Sequence, residues 1–80
     1  MSDEIIMIGM TGCGACESMK NNIARYEEHT KNKSKIKIVD CANSDDPRCK
    51  QVEGFPTFFK GKKQCRVGSG TVENVYADCN

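Results

Sequence analysis

Ile5-Ile6-Met7-Ile8-Gly9, followed closely by Cys13-Gly14-Ala15-Cys16, is the stretch of sequence that decides the fold. The first segment is a short apolar run that ends at a glycine, which is typical of a buried strand. From the last residue of the second segment onward, apolar residues recur at helical spacing: Cys16, Met19, Ile23 and Tyr26. This spacing predicts an amphipathic helix. The two thiols are therefore predicted to lie where a strand leads into the N-terminus of a helix.

Two thiols in this position suit reversible disulfide chemistry. The attacking species is a thiolate, which unpaired backbone N–H groups and the positive end of a helix dipole stabilise. Cys13 lies at the outer end of the motif and is predicted to attack a disulfide. Cys16, one turn into the helix and on its apolar face, is predicted to resolve the resulting mixed disulfide. The alternative is a purely structural disulfide between the two residues.

Composition limits the class of protein. Eighty residues make one domain, residues 1–80, and 12 basic against 11 acidic residues give a net charge of +1. This balance favours neither nucleic acid nor an anionic membrane as a partner, and the longest apolar run is too short to span a bilayer. The segment Met1–Glu4 is acidic where a secretory signal would be basic. We therefore expect a cytoplasmic protein, unless the sequence is a mature or excised domain. We also expect a monomer.

Six cysteines leave two alternatives to a redox site. The first is a secreted disulfide scaffold, which the absence of a signal and the regular helical and strand patterns disfavour. The second is a zinc site formed by Cys13, Cys16, Cys41 and Cys49. Seven residues separate Cys41 from Cys49, whereas structural zinc sites usually have two to four between paired ligands. We therefore expect neither a metal nor an organic cofactor.

The rest of the chain predicts an α/β domain with the element order β-α-β-α-β-β-α. The predicted helices run from about Cys13 to Lys31, from about Pro47 to Glu53 and onward from a Thr71 cap. The later strands run from Ile36 to near Asp40-Cys41, from Thr57 to Phe59 and from Gln64 to Val67. A strand–helix–strand unit in one sheet should be parallel, and a hairpin adds antiparallel strands. The expected architecture is a four-stranded mixed sheet with helices on both faces.

This order of elements, with its motifs, resembles the thioredoxin superfamily in its minimal, glutaredoxin-sized form. The residues that carry the resemblance are Cys13-Gly14-Ala15-Cys16, Val39-Asp40-Cys41 and Gly54-Phe55-Pro56-Thr57. The last of these is similar to the cis-proline loop of thioredoxins and protein disulfide isomerases. The resemblance implies that the Phe55–Pro56 bond is cis and that Phe55, Pro56 and Thr57 form a substrate-binding loop facing the dithiol.

Cys41 and Cys49 are candidates for a second disulfide. The stretch that holds them is similar to isomerase-type domains, some of which carry a second cysteine pair there. Cys41 ends a predicted strand and Cys49 lies in the first turn of the following helix, so the connection folds back on itself. We expect Cα atoms near enough to bridge, with the pair either structural or redox-responsive. Cys65 and Cys79 are instead expected to be buried free thiols that act as small apolar groups.

Two departures from the family pattern concern the redox chemistry. Gly14-Ala15 stands between the cysteines where thioredoxin has Gly-Pro, so the resemblance does not carry over a redox potential. Met7 stands where the family often has a buried carboxylate that assists proton transfer at the second cysteine. The proton acceptor for Cys16 is therefore unassigned.

The predicted function is thiol–disulfide oxidoreduction with Cys13 and Cys16 as the catalytic pair. The expected partners are disulfide-containing protein substrates, together with glutathione or a thioredoxin reductase as electron donor. The alternative function is a non-catalytic binding or redox-sensing module of the same fold.

Overall fold

A four-stranded mixed sheet forms the centre of the molecule. The computed structural model describes residues 4–80, so most of the acidic segment that argues against a signal lies outside the described residues. The strands are β1 (Ile5–Gly9), β2 (Ile36–Asp40), β3 (Thr57–Lys60) and β4 (Lys63–Val67), in the spatial order β2-β1-β3-β4. β2 is parallel to β1, whereas β3 is antiparallel to β1 and β4 to β3. Together with the helices α1 (Gly14–Thr30) and α2 (Val72–Asp78), they make a small α/β domain.

β1 is an inner strand, and all five of its residues are buried. A strand that is covered on both faces needs apolar side chains at successive positions, which explains the unbroken run at its start. Its last residue, Gly9, pairs with Asp40 at the end of β2. The parallel pairing places the carboxyl ends of both strands, and the loop that leads to α1, at one edge of the sheet.

α1 begins and ends close to where the sequence predicts. Cys13 is its N-cap, and Lys31, with a φ of 61°, is its C-cap. The buried residues of the helix are Cys16, Met19 and Ile23, which confirms the predicted apolar face. No helix in the described part of the chain is long and apolar enough to cross a membrane.

The two α-helices pack on the same face of the sheet, so the expectation of helices on both faces is only partly met. The core on this face consists of Ile5, Met7, Cys16, Met19, Ile23, Ile36, Phe58, Val72, Val75 and Cys79. A smaller cluster on the opposite face consists of Ile6, Ile8 and Phe59, with Val39, Cys41, Cys49, Val52 and Phe55 packed against it. The segment between β2 and β3, rather than an α-helix, supplies the cover on this second face.

The predicted helix from Pro47 to Glu53 is instead a single 3-10 turn, Pro47–Lys50. Asp46 caps it and Pro47 starts it, as the sequence indicates, but none of its four residues is buried. Cys49 and Val52 are the apolar residues of this stretch, and of the two only Cys49 lies within the turn. An α-helix would need a wider apolar face to be stable in this position.

Arg48 fixes the 3-10 turn to the β3–β4 hairpin. Its guanidinium contacts the Asp46 carboxylate through Nε at 3.0 Å and Nη2 at 2.7 Å. The third nitrogen, Nη1, donates to the carbonyl oxygen of Gly61 at 3.0 Å, and the guanidinium carbon lies 5.9 Å from the Phe59 ring centroid. This geometry combines a bidentate ion pair with a cation–π contact. The side chains of Arg48 and Asp46 are 25% and 14% exposed, so the pair is partly shielded from water.

We predict that Asp46→Asn destabilises the protein at neutral pH by about 1 kcal/mol. Hydrogen bonds from the Arg48 side chain and backbone lower the pKa of Asp46 to about 2. A lowered pKa in the folded state stabilises the protein above the unfolded-state pKa, and this stabilisation is lost as the pH falls through the folded-state value. Urea unfolding of the wild type and of Asp46→Asn should therefore show a difference in the free energy of unfolding at neutral pH. This difference should shrink as the pH falls from about 4 towards 2. Asp45→Asn, at the exposed neighbouring residue, is the control, and an equal effect there would contradict the role of the ion pair.

α2 is joined to β4 by a disulfide between Cys65 and Cys79, whose Cα atoms are 5.0 Å apart. The expectation that these residues are free thiols is therefore wrong. Cys65 packs against the helix-covered core and Cys79 is the C-cap of α2, so the packing of the helix brings the two together. The adjacent residues Arg66 and Asp78 form an ion pair of 2.6 Å between the same two elements.

Candidate functional site

Cys13 and Cys16 lie together at the N-terminus of α1 as free thiols. The backbone N–H of Cys16 donates to Cys13 Sγ at 3.1 Å. A thiolate accepts such a bond more strongly than a thiol does, because a charged acceptor strengthens the hydrogen bond. Cys13 is half-buried and Cys16 is 1% exposed, so a substrate can reach the first sulfur but not the second.

Cys16 lies in a closely packed environment beneath the surface. A Cβ atom added at Gly9 would lie 3.3 Å from Cys16 Sγ, so glycine at the end of β1 leaves the room that this thiol occupies. Burial, followed by the side-chain hydrogen bond with Cys13, raises the pKa of Cys16 to about 11. Two weaker effects lower the pKa of Cys16 and only partly offset this rise: a backbone hydrogen bond at Met10 and the Lys20 ammonium. Cys16 is therefore a protonated thiol at neutral pH.

The loop before β3 lies against the dithiol. As a thiol, Cys13 donates to the carbonyl oxygen of Phe55 at 3.7 Å. The Phe55–Pro56 peptide bond is cis, as the resemblance predicts. Phe55 is half-buried and in contact with both core clusters, whereas Pro56 is fully buried. Thr57 is 1% exposed and its hydroxyl donates to the carbonyl oxygen of Gly54 at 2.8 Å, so its side chain holds the loop in shape rather than facing outward.

A contact between Thr11 and Asp40 holds the loop that precedes Cys13. The Thr11 hydroxyl donates to one carboxylate oxygen at 2.6 Å, and the Thr11 N–H donates to the other at 3.2 Å. The N–H of Ala42 also donates to Asp40, at 2.9 Å. The bond from the Thr11 hydroxyl, followed by that from Ala42, lowers the pKa of Asp40. This contact is absent from the sequence-based prediction, because a loop threonine and a strand-end aspartate 29 residues away carry no local pattern.

Cys41 and Cys49 form a disulfide with a Cα–Cα distance of 5.7 Å. The bond lies on the second face of the sheet, in the cluster that also contacts Phe55. The N–H of Cys41 donates to the Gly9 carbonyl oxygen at 2.9 Å, which ties the disulfide to the end of β1. The zinc alternative needs Cys41 and Cys49 as thiolates, but here they are bonded to each other. Within residues 4–80, no group of three or more His, Cys, Asp or Glu side chains is arranged to hold a metal ion.

No protein-family model and no curated protein matches the chain. The resemblance to the thioredoxin superfamily therefore stays a prediction. The geometry itself defines what the site can do chemically: an accessible sulfur accepts a backbone N–H bond at a helix N-terminus, and a buried thiol lies one turn away. This arrangement suits nucleophilic attack by Cys13, followed by intramolecular displacement by Cys16.

Proposed function

We propose that this protein is a thiol–disulfide oxidoreductase with a minimal thioredoxin-like fold, in which Cys13 and Cys16 cycle between dithiol and disulfide. The observation that carries the proposal is the asymmetry of the pair at the N-terminus of α1. The half-buried Cys13 Sγ accepts the Cys16 N–H, while Cys16 itself is enclosed. A structural disulfide would need no such difference in access. The element order and the strand order β2-β1-β3-β4 also support the fold assignment.

The proposed reaction has two displacements. The Cys13 thiolate attacks one sulfur of a substrate disulfide, a Cys13–substrate disulfide forms, and the other substrate sulfur leaves as a thiolate that takes a proton from solvent. Cys16 then gives up its proton and attacks Cys13 Sγ. The Cys13–Cys16 disulfide forms and the second substrate thiol is released. Two electrons and two protons pass from the protein to the substrate, and the reverse sequence oxidises a substrate dithiol.

The substrate would approach over the exposed rim of the site. Gly12, Gly14 and Ala15 are exposed around Cys13, and the Phe55 carbonyl oxygen lies at its sulfur. An extended segment of a protein substrate could pair with the backbone of the 54–55 loop as an added strand. We therefore propose disulfide-containing proteins as substrates, with glutathione or a thioredoxin reductase restoring the dithiol. The compartment determines which of these two reductants is present. The two further disulfides are typical of an oxidising compartment and so disagree with the cytoplasmic location that the sequence predicts.

The test is disulfide reduction measured with insulin in the presence of dithiothreitol, and with a small disulfide coupled to glutathione. The wild-type protein should accelerate both assays or one of them, and Cys13→Ser should remove the acceleration completely. Cys16→Ser should accumulate a mixed disulfide through Cys13, visible as a mass increase that a reductant reverses.

The control for this experiment is Cys41→Ser/Cys49→Ser, which removes two sulfurs and keeps the dithiol. Acceleration that survives in Cys13→Ser would contradict the assignment of the nucleophile. A wild-type protein that forms the Cys13–Cys16 disulfide but shows no turnover with any substrate or donor would instead indicate the binding or redox-sensing module.

A further inference from the structure

Cys16 has no carboxylate beside it on β1. Met7, fully buried, stands on the strand face that packs against α1, and Gly9 follows it next to the Cys16 sulfur. A resolving thiol that is buried among apolar groups is held in its neutral form, because desolvation disfavours the charged state. Its attack on the mixed disulfide nevertheless requires the thiolate. Some other group must therefore stabilise that charge.

Lys20 lies one helical turn beyond Cys16, on the same face of α1. Its side chain is 36% exposed, so the ammonium sits at the boundary between the core and water. Its Nζ lies 3.7 Å from a carboxylate oxygen of Glu17, which is 64% exposed. The Lys20 charge acts on both Cys16 and Asp40, lowering the pKa of each. The one-turn spacing and the partly buried side chain place Lys20 beside Cys16 on the helix.

Among the described residues, no other positively charged side chain acts on the pKa of Cys16. From α1, Cys13 is the remaining titratable neighbour, and its hydrogen bond and charge raise the pKa of Cys16. β1 and α2 contribute apolar residues to this cluster, and the loop before β3 contributes Phe55. Asp40, at the end of β2 and on the side of the sheet that α1 covers, is negatively charged and already accepts three hydrogen bonds.

The balance changes when Cys13 is in a mixed disulfide. Cys13 then carries neither a proton nor a negative charge, so both of its contributions that raise the pKa of Cys16 are lost. Burial remains as the cause that raises it, and the Met10 backbone hydrogen bond and the Lys20 ammonium remain as the causes that lower it. Lys20 is then the remaining side chain whose charge lowers the pKa of Cys16 when Cys16 must attack.

We propose that Lys20 is a positioning residue for the second displacement, in which its ammonium stabilises the Cys16 thiolate while that thiolate attacks Cys13 Sγ. This inference rests on the proposed function. Lys20 takes no part in the proton transfer. The proton lost by Cys16 passes to solvent, and the released substrate thiolate takes one up, so the balance of the two displacements is unchanged.

The test separates the two displacements in time. Reduced protein is mixed with excess dithiobis-nitrobenzoate, an aromatic disulfide whose released thiolate is coloured, and the colour is followed by stopped flow. Attack by Cys13 releases the first thiolate, and resolution by Cys16 releases the second. Lys20→Met should slow the second phase about threefold at neutral pH and leave the first phase unchanged. Without the ammonium the pKa of Cys16 rises and its thiolate fraction falls, and the greater nucleophilicity of the more basic thiolate restores part of the rate.

Three variants control for effects other than charge. Lys20→Arg should keep the wild-type second phase, because it retains the positive charge. Lys37→Met removes the same charge from an exposed position on β2 and should leave both phases unchanged. Glu17→Gln breaks the ion pair with Lys20 and should not slow the second phase, which separates the charge of Lys20 from the ion pair it forms.

The pH profile gives a readout that a purely structural role would not move. In Lys20→Met the pH at which the second-phase rate reaches half of its maximum should be higher than in wild type. Added salt should reduce the difference in second-phase rate between the two proteins. An unchanged second phase and midpoint in Lys20→Met, with wild type still biphasic, would overturn the role of Lys20 alone. A wild-type protein that releases no second thiolate would overturn the proposed function itself.

Discussion

At neutral pH, iodoacetamide is expected to alkylate Cys13 of the reduced protein about a hundredfold faster than Cys16. Cys16 is 1% exposed, so the reagent reaches it poorly. Burial and the hydrogen bond with Cys13 also raise the pKa of Cys16 to about 11, which leaves about one molecule in ten thousand as thiolate at neutral pH. Cys13 is half-buried at the N-terminus of α1, where the Cys16 N–H donates to its sulfur.

The measurement is timed alkylation followed by peptide mass spectrometry, with fragmentation between the two cysteines to assign the label. The same reaction in denaturant is the control, and there the two residues should react at similar rates. The other four cysteines form two disulfides and should take up no label as long as those two bonds are intact: Cys41–Cys49 and Cys65–Cys79. Equal rates for Cys13 and Cys16 in the folded protein would contradict their assignment as attacking and resolving thiols.

The dithiol and its place in the chain could be predicted from sequence because both depend on local patterns. The apolar run of β1 and the helical spacing after Cys16 each signal an element within a few residues. The order of these elements then limits the topology, since a strand–helix–strand connection in one sheet is almost always parallel and right-handed. The same reasoning places the hairpin that follows Pro56, because Gly61 lies between two short strands.

The features missed by sequence reasoning depend on contacts between distant segments. Asp46-Pro47 signals the start of a helix correctly, but its length depends on how the segment packs over Ile8 and Phe59. The bond between Thr11 and Asp40, and the contact of Arg48 with Gly61, join segments that no periodicity relates. Both contacts bear on the site or its supporting face.

The pairing of Cys65 with Cys79 illustrates the same limit. Each residue alone fits a buried apolar position, since one lies on β4 and the other at the end of α2. Only the packing of α2 against the sheet shows that they meet. Cysteine count and spacing do not determine connectivity, so this bond required the structure.

Removing the Cys65–Cys79 disulfide is expected to lower the free energy of unfolding by about 3 kcal/mol, because the bond closes a loop of about 15 residues and restricts the unfolded chain. A small domain has a total stability of roughly 5–10 kcal/mol, so the loss should be a large part of the whole. α2 has seven residues, too few to be stable as an isolated helix. Its buried residues Val72 and Val75 belong to the main core, so release of this helix exposes core side chains.

The experiment compares Cys65→Ala/Cys79→Ala with its parent by urea unfolding. Both proteins should carry serine at positions 13 and 16, so that no free thiol of the dithiol can exchange with the remaining disulfide. Asp78→Asn is the matched control, because it removes the ion pair with Arg66 that joins the same two elements. A partly exposed ion pair contributes less than about 1 kcal/mol, so the control should lose much less stability than the disulfide variant.

The comparison also separates the disulfide from the packing of α2. If the disulfide acts mainly on the unfolded chain, α2 should stay folded in the variant. The amide protons of Val72 and Val75 should then be protected from exchange to the extent that the variant's lower free energy of unfolding predicts. A second version of the variant, which retains Cys13 and Cys16, should show the wild-type rate of Cys13 alkylation. Losses below about 1 kcal/mol for the double alanine variant would contradict the expected contribution of this bond. Equal losses for that variant and Asp78→Asn would assign the attachment of α2 to the ion pair instead.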